Sequence, residues 1–368
     1  MPVEFIGMIA TQLFSEVIPR RSPFLDPGFT REFARVHEDA GFDRVLIGYF
    51  SYDADGFVVA TDVLAHADRL GVLLAHRPGF VSPTVAARKL ASVDQFSGGR
   101  LAVHVISGGS DAEQRKDGDY LDHDARYRRT DEYLDVLKKI WTATEPVDHE
   151  GEHYRFEGAW SEVRCVSEPH IPVYFGGSSD IAVEIAGKHA DVYALWGEPL
   201  ADAKAHIDRV RAEARKWGRN PRVSLSLRPI LAPTEDAAWE RAYGILDAVR
   251  GRVVSGGFSR REPGAVGSRR LLDAAARGEI HDKRLFTPLA AATGAAGNST
   301  ALVGTPEQVA ESMLDYLDIG VTTLLIRGYD PMEDARAYGE VVRLVREEVA
   351  RRDRRDGRSA PAATAGES

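Results

Sequence analysis

Short apolar segments alternate with amphipathic helical segments along most of this 368-residue chain. This alternation constrains the fold more than any other feature of the sequence. Each apolar segment is short enough for one buried strand, and the next segment shows helical spacing of its apolar residues. Eight strands are predicted in this way, at residues 3–10, 44–49, 71–76, 100–106, 173–175, 191–196, 223–232 and 321–326. Strands that alternate with helices form parallel sheets, because each helix carries the chain back to the starting edge.

Eight such units predict a (β/α)8 TIM barrel with insertions. A doubly wound sheet is the alternative, and it would normally show a glycine fingerprint directly after the first strand. The residues at that place, Ala10-Thr11-Gln12-Leu13, lack such a fingerprint. We therefore expect a single barrel domain over residues 1–351, with its functional site at the carboxyl ends of the strands.

Three segments interrupt or extend the predicted barrel. Residues 147–163 predict a β-hairpin inserted before strand five. Residues 251–299, rich in Gly, Arg and Ala, are expected to form a long mobile lid between strands seven and eight. Four arginines cluster in this segment: Arg260, Arg261, Arg269 and Arg270. They either belong to a solvated loop or bring positive charge over an anionic ligand. Residues 352–368 are expected to be a disordered tail.

Composition excludes several classes of function. The net charge of −9 argues against a nucleic-acid partner. The single cysteine, Cys165, excludes an internal disulfide and a multi-cysteine metal site, and no metal site is predicted. The N-terminus does not read as a signal peptide, and no apolar run approaches the ~18 residues of a membrane span. We therefore expect a soluble cytoplasmic protein with no membrane partner.

The residues at the predicted strand ends are aromatic, glycine-rich and cationic. After strand five, Gly176-Gly177-Ser178-Ser179 leads into a helix. Backbone N–H groups, two hydroxyls and the positive end of a helix suit a phosphate there, although an ordinary serine-capped turn has the same sequence. Paired acids, a His-x-x-x-His pattern and a nucleophile elbow are absent from the strand ends. The pattern predicts a site for an aromatic, phosphorylated cofactor that brings its own reactivity.

Four single residues near the strand ends need an interpretation. Arg77 follows strand three and Arg228 lies in strand seven. A functional role is favoured for both, because an unpaired charge in a barrel mouth is costly. Trp196 ends strand six, and it either lines the site or fills the mouth. His104 lies within strand four and is expected to be a core histidine.

Together these residues resemble the bacterial luciferase-like flavin monooxygenases, and within them the alkanesulfonate monooxygenase group. The shared motifs span nearly the whole chain in the family's order. They are Arg-Pro at 77–78, Ser-Pro-Thr-Val-Ala-Ala-Arg at 82–88, Asp-Gln-Phe-Ser-Gly-Gly-Arg at 94–100, Leu-Asp-His through Arg-Tyr at 121–127, Tyr-Phe-Gly-Gly-Ser-Ser at 174–179, Trp-Gly-Glu-Pro at 196–199, Thr-Ala-Leu-Val-Gly at 300–304 and Gly-Tyr at 328–329.

The resemblance implies a barrel enzyme that binds reduced FMN, delivered by a separate NAD(P)H-dependent flavin reductase, and uses O2 to oxidise its substrate. Sulfonate enzymes of this group release sulfite and an aldehyde. The resemblance also implies a homodimer or homotetramer. The implied cofactor-binding residues are Ser107, Tyr127, Gly177, Ser178 and Ser179. The implied catalytic residues are Trp196, Arg228 and Tyr329, and the implied substrate-binding residues are Gln12, Arg77 and Arg228.

The sequence departs from the sulfonate pattern at several positions. Ser226-Leu227-Arg228 stands where the group carries Arg-x-His, and Gln12 replaces a histidine. The arginine that the group carries in its mobile segment, and the cysteine that it carries after strand two, are absent from this chain. We expect a small, anionic organosulfur substrate, with a sulfone, a sulfinate, an amine or a specialised metabolite as alternatives. A deazaflavin-dependent oxidoreductase and a non-catalytic flavin-binding protein also remain open.

Overall fold

A computed structural model describes residues 3–255 and 264–357 of the chain. Within these residues, eight parallel strands close into a barrel, because each one is hydrogen-bonded to a neighbour on both sides. With strands numbered in chain order, the barrel consists of β1 (Glu4–Met8), β2 (Arg44–Ile47), β3 (Gly71–His76), β4 (Leu101–Val105), β7 (Val173–Gly176), β8 (Val192–Trp196), β9 (Arg222–Leu231) and β13 (Thr323–Ile326). The predicted (β/α)8 barrel and its eight strands are confirmed.

Helices surround this barrel, and local sequence signals set their ends. Thr305 caps one of them in a capping box with Gln308, and Gly98 ends another with a φ of 62°, which favours glycine. The helices are α1 (Pro27–Asp39), α2 (Gly56–His66), α3 (Pro83–Ser97), α4 (Asp111–Lys116), α5 (His123–Thr142), α6 (Asp180–His189), α7 (Leu200–Arg215), α8 (Glu235–Val254), α9 (Val266–Arg277), α10 (Pro288–Thr293), α11 (Pro306–Asp318) and α12 (Pro331–Arg355). No helix in the described ranges is both long and apolar enough to cross a membrane.

The interior of the barrel is filled at the bottom and open at the top. One layer of inward-facing side chains is buried there, and it comprises Ile6, Leu73, Ala102, Tyr174, Val192 and Leu325. Nearer the carboxyl ends, the inward-facing residues are only partly buried, and they include Met8, Leu46, His104, Gly176 and Ala194. The mouth of the barrel is therefore a cup. We call its base, formed by these five residues, the floor of the cup.

Strand β9 serves two sheets. Its first half pairs with β8 and β13 in the barrel, and its second half, from Arg228, pairs with β12 (Ala301–Gly304). The sequence did not predict β12, because four residues are too few to show a strand period. This second pairing leads β9 away from the barrel wall, so that Arg228 stands where the two sheets diverge.

The two insertions are both folded. Strands β5 (Val147–Glu150) and β6 (Arg155–Ala159) form the predicted antiparallel hairpin. Between β9 and β13, α8 continues to Val254, past the predicted start of the lid at residue 251, and α9, the short strands β10 (Ile280–His281) and β11 (Leu285–Phe286), and α10 follow. The described part of this insertion is thus largely regular structure. Residues 256–263, with Arg260 and Arg261, lie outside the described residues.

The C-terminal helix is longer than predicted. Helix α12 continues to Arg355, so residues 352–355, which were expected to begin a disordered tail, are helical. Arg352 pairs with Glu348 on its own helix and with Asp318 of α11, and these contacts favour the extra turn. Residues 358–368 lie outside the described residues.

Candidate active site

The turn between β7 and α6 presents groups that suit an anion. Gly177 has a φ of 142°, and a Cβ there would lie 2.7 Å from the Ala182 Cβ and 2.8 Å from the Tyr127 hydroxyl oxygen. Only glycine fits this position. Ser179 precedes α6 without capping it, and its buried hydroxyl forms no hydrogen bond of standard geometry with the described residues. The first turn of α6 therefore keeps N–H groups and a hydroxyl for a ligand.

Polar groups on the neighbouring elements support this turn. Tyr193 of β8 donates to the Gly177 carbonyl over 2.6 Å, and its hydroxyl lies 2.7 Å from Nε2 of His206. Burial, with nearby arginines, lowers the pKa of His206 to about 4. Arg209 of α7 is exposed, donates to the Ser178 carbonyl over 3.4 Å and forms an ion pair with Asp180, the first residue of α6. These contacts hold the turn in shape.

Helix α9 of the insertion covers one side of the cup through Trp196. A Cβ on Gly267 of α9 would lie 3.1 Å from the Trp196 ring, so the helix backbone packs directly against the indole. Arg270 of α9 forms two contacts with the buried Glu198, one of them at 2.8 Å. The positive charge of Arg270 is therefore neutralised by Glu198, and the pair fastens α9 to the end of β8.

A cavity of about 260 Å³ lies where β1, β2, β9 and β13 end. Part of its lining is apolar, including Met8, Phe14, Phe33, Ile47, Phe50 and Ile326. The charged residues of its lining are Glu16, Arg20, Asp53, Arg228, Arg252 and Arg327. A cavity with one apolar side and one cationic side suits a small amphipathic anion.

One carboxylate organises the cationic side of this cavity. Oε1 of Glu16 lies 2.8 Å from Nη1 of Arg228 and 2.8 Å from Nη2 of Arg327. Burial opposes ionisation of Glu16, but the two guanidinium groups outweigh it and hold the pKa of the carboxyl well below its usual range. Oε2 of Glu16 and Nε of Arg228 are buried and have no partner among the described residues. The cluster is charged and retains unused hydrogen-bonding groups.

The aromatic ring of Tyr329 packs against the guanidinium group of Arg228. The Arg228 guanidinium carbon lies 3.4 Å from the centre of the Tyr329 ring, and its Nη2 donates to the Gly328 carbonyl over 2.7 Å. Burial raises the pKa of Tyr329 to about 12. Tyr329 is buried and does not line the cavity. The ring holds Arg228, which does line the cavity, in position.

Gln12 does not line the cavity either. Its amide nitrogen donates to the Phe24 carbonyl over 3.2 Å, and its amide oxygen accepts a hydrogen bond from the Arg21 backbone over 3.0 Å. Both ends of the side chain therefore hold the loop between β1 and α1. Glu16 of this same loop lines the cavity.

Arg77 and Ser107 lie at their predicted strand ends with protein partners. The Arg77 guanidinium lies 4.5 Å from the centre of the Tyr49 ring and 3.8 Å from Oε1 of Glu113. Ser107 donates to the Thr130 hydroxyl over 3.0 Å. These contacts order the β3 and β4 ends of the mouth, while the turn beside α6 and the Arg228 cluster hold its other sides.

One further group of metal-binding residue types occurs in the described parts of the chain. Asp131, Asp135 and His189 lie together between α5 and α6. The Lys188 ammonium lies 3.0 Å from Asp131 and 2.7 Å from Asp135, so both carboxylates already have a cationic partner. These residues are on the outside of the barrel, away from the cup.

Comparison with known proteins agrees with this fold. The model of the luciferase-like monooxygenase family matches residues 5–323. The fold is similar to that of riboflavin lyase (RcaE) with modified FMN and riboflavin, at a TM-score of 0.77 and 19% identity over 98% of this chain and 93% of that one. It is also similar to that of EDTA monooxygenase (EmoA) from Chelativorans sp. BNC1, at a TM-score of 0.75 and 19% identity. This match covers 96% of this chain and 94% of that one.

A third similar structure is an F420-dependent secondary alcohol dehydrogenase in complex with an F420-acetone adduct. Its TM-score is 0.68 and its identity 17%, over 94% of this chain and 99% of that one. At these identities the three structures establish the shared fold. Because the family model covers most of the barrel, the chain belongs to the luciferase-like monooxygenase family of flavin-dependent enzymes.

Proposed function

We propose that this chain is the oxygenase of a two-component system. It uses FMNH2 from a separate NAD(P)H-dependent flavin reductase, together with O2, to oxidise a small, singly charged organosulfur anion. The observation that carries the choice of substrate is the charge balance of the cavity beside the cup.

The cluster of Glu16 with Arg228 and Arg327 carries one excess positive charge. The Arg20–Asp53 pair, at 2.7 Å, is neutral. Arg252, the sixth charged residue of the lining, donates to the backbone carbonyls of Ser15 and Glu16. A buried charge without a partner costs several kcal/mol. A ligand with one negative charge would remove that cost.

The same cluster borders the space for the cofactor. Arg327 directly follows β13, and its Nη1 lies 3.7 Å from Sδ of Met8, a residue of the floor of the cup. An anion beside Arg327 would lie next to the cup, where its reactive carbon meets the flavin. The unbonded Nε of Arg228 offers it a hydrogen-bond donor.

The residues around the cup fit FMN. Ser178, Ser179 and Tyr127 would hold the phosphate at the start of α6, with Arg209 beside it, and Trp196 would border the ring system. Gly177 leaves the room that a Cβ would fill. When bound, reduced FMN supplies the two electrons that activate O2.

The reaction balances for a sulfonate. R-CH2-SO3⁻, O2 and FMNH2 give R-CHO, HSO3⁻, FMN and water. The C–S bond breaks, the carbon is oxidised to an aldehyde, and one oxygen atom of O2 leaves as water. The protein's part is to hold the anionic head at the arginines and to exclude bulk water with α9.

The test is oxygen consumption with a generic flavin reductase, FMN and NADH, with sulfite and peroxide measured separately. Ethanesulfonate and larger alkanesulfonates are compared with neutral dimethyl sulfone and a cationic amine of similar size. We expect sulfite from a monoanion and peroxide from the others. Peroxide with every substrate, or turnover that needs reduced F420 in place of FMNH2, would overturn the proposal.

An arginine variant tests the substrate site itself. Arg327→Met is expected to raise the KM for the anion at least tenfold while the Kd for FMN changes less than twofold. Arg336→Met is the matched control, because Arg336 is an exposed arginine on α12. An unchanged KM in Arg327→Met would show that the substrate does not bind at this cluster.

A further inference from the structure

His104 is a hydrogen-bonding side chain in the floor of the cup. Its strand neighbours Val103 and Val105 are fully buried in the outer core, between the barrel and the helices. Ala102 lies in the inner layer. Because side chains alternate along a strand, His104 faces inward with Ala102, one step nearer the mouth. It is partly exposed although it lies mid-barrel, so its ring borders the open cup.

The ring stands beside the phosphate turn. A Cβ on Gly176 would lie 3.6 Å from Nε2 of His104 and 2.9 Å from the Ala194 carbonyl oxygen. Gly176 is the last residue of β7 and directly precedes Gly177. The missing side chain at Gly176 leaves the imidazole uncovered on the side of the turn.

The imidazole of His104 has no hydrogen bond to any described residue, which distinguishes it from the fully buried histidines. A ring nitrogen of each fully buried histidine lies within 2.8 Å of a hydrogen-bond partner. These histidines are His37, His76, His189 and His206. Surrounding protein lowers the pKa of His104 to about 4. At neutral pH its ring is therefore uncharged, with one nitrogen as a donor and the other as an acceptor. Enclosed polar groups are normally satisfied, so a ligand or water must supply the partner.

We propose that His104 is a flavin-contacting residue whose neutral imidazole hydrogen-bonds the polar edge of the isoalloxazine ring. This inference rests on the proposed function, since it requires flavin in the cup. The edge of an isoalloxazine ring carries both donors and acceptors, and a neutral imidazole can match either. His104 would thereby fix the orientation of the ring against the floor, as a positioning contact at the cofactor.

The experiment is a titration of the protein with oxidised FMN, followed by flavin fluorescence and by the visible absorption of the bound flavin. His104→Leu keeps the approximate volume and removes both nitrogen atoms, and His104→Ala is measured beside it in case the leucine variant does not fold. We expect a Kd about 3- to 10-fold higher, as for the loss of one neutral hydrogen bond, and a shifted absorption band. His104→Gln can still form a hydrogen bond, so it should restore part of the FMN affinity and part of the wild-type absorption spectrum.

His189→Leu is the matched control. His189 is also buried, with its pKa lowered by burial, but it lies at the end of α6, on the outside of the barrel and away from the cup. This variant should lower Tm and leave the bound-flavin spectrum unchanged. A Kd within twofold of wild type and an unshifted spectrum in His104→Leu and His104→Ala would overturn the inference alone. A wild-type protein that binds no flavin would overturn the proposed function with it.

Discussion

Replacing Glu16 tests whether one carboxylate holds the cationic side of the cavity together. In Glu16→Gln, Arg228 and Arg327 would face a neutral amide in place of the carboxylate oxygen that both contact at 2.8 Å, so the negative charge between them would be lost. Arg228 is 1% exposed and cannot turn to water. The two guanidinium groups would then repel each other with little screening.

The magnitude follows from this burial. Removing one partner of a buried ion pair typically costs about 3–5 kcal/mol. With an unfolding entropy of about 2.1 cal/mol/K per residue over 368 residues, this corresponds to a fall in Tm of about 4–6 °C. Asp53→Asn is the control, because the Arg20–Asp53 pair is partly exposed and such pairs contribute about 0–1 kcal/mol.

The pH dependence has a definite sign. The pKa of Glu16 in the folded protein is lower than its ordinary value of 4.5, because two arginines stabilise the carboxylate. Its stabilisation is therefore fully present above about pH 4.5 and is lost as the pH falls toward the folded-state pKa. The difference between wild type and Glu16→Gln should be largest near pH 7 and should shrink below pH 4.5.

The assay is thermal unfolding of both variants and wild type from pH 3.5 to 7, with and without sodium sulfate. Sulfate should stabilise Glu16→Gln more than wild type, since the variant lacks one negative charge in the cavity. Chloride at matched ionic strength controls for screening. Equal Tm values for wild type and Glu16→Gln, or no extra effect of sulfate, would refute this account of the cluster.

Three further predictions concern the turn and the covering helix. Ser179→Ala should weaken FMN binding by roughly 1.5–3 kcal/mol, the value of a hydrogen bond to a charged group. Riboflavin has no phosphate, so its binding should not change. Equal losses of affinity for both ligands in a fluorescence titration would show that Ser179 does not bind the phosphate. Gly177→Ala should abolish FMN binding and lower Tm, because its Cβ would meet neighbouring atoms within 3 Å; near wild-type affinity would show that the turn has room for a side chain. Arg270→Gln leaves the buried Glu198 unpaired, so hydrogen exchange in α9 should quicken by about tenfold, equivalent to ~1.4 kcal/mol; unchanged exchange would show that packing alone holds α9.

The barrel could be predicted because its signals are local. Residues 71–76 form a short apolar run between helical segments, and β3 has those same bounds. The turn at Gly177 could be predicted for the same reason, since a glycine pair and serines before a helix have a local meaning. Element type and order follow from periodicity over a few residues.

The cationic cluster could not be predicted, because its contacts join distant parts of the chain. Glu16 lies in an irregular loop with no period, and nothing near it in sequence indicates that it meets Arg228 and Arg327. Sequence reasoning therefore treated Arg228 as an uncompensated charge. The substrate roles of Gln12 and Tyr329 came from the family resemblance alone, and they stay predictions. The burial of Tyr329 beneath Arg228 depends on where β9 and β13 diverge, which no local pattern indicates.

His104 marks another limit of sequence reasoning. A histidine within a strand is usually a core residue, and only the inward face of β4 and the missing side chain at Gly176 leave it open to the cup. The alternation along β4 would have given its direction once Val103 and Val105 were known to face the helices. The depth at which the barrel stops being filled is a property of all eight strands together.

A single-turnover experiment tests the central claim most directly. Protein loaded anaerobically with one equivalent of FMNH2 and a saturating alkanesulfonate is mixed with O2, and sulfite and peroxide are measured per flavin. The account predicts close to one sulfite per FMNH2 with a singly charged sulfonate of suitable size, and peroxide alone with neutral dimethyl sulfone. Peroxide without sulfite for every sulfonate, or equal oxidation of the neutral compound, would contradict a flavin monooxygenase built around an anion.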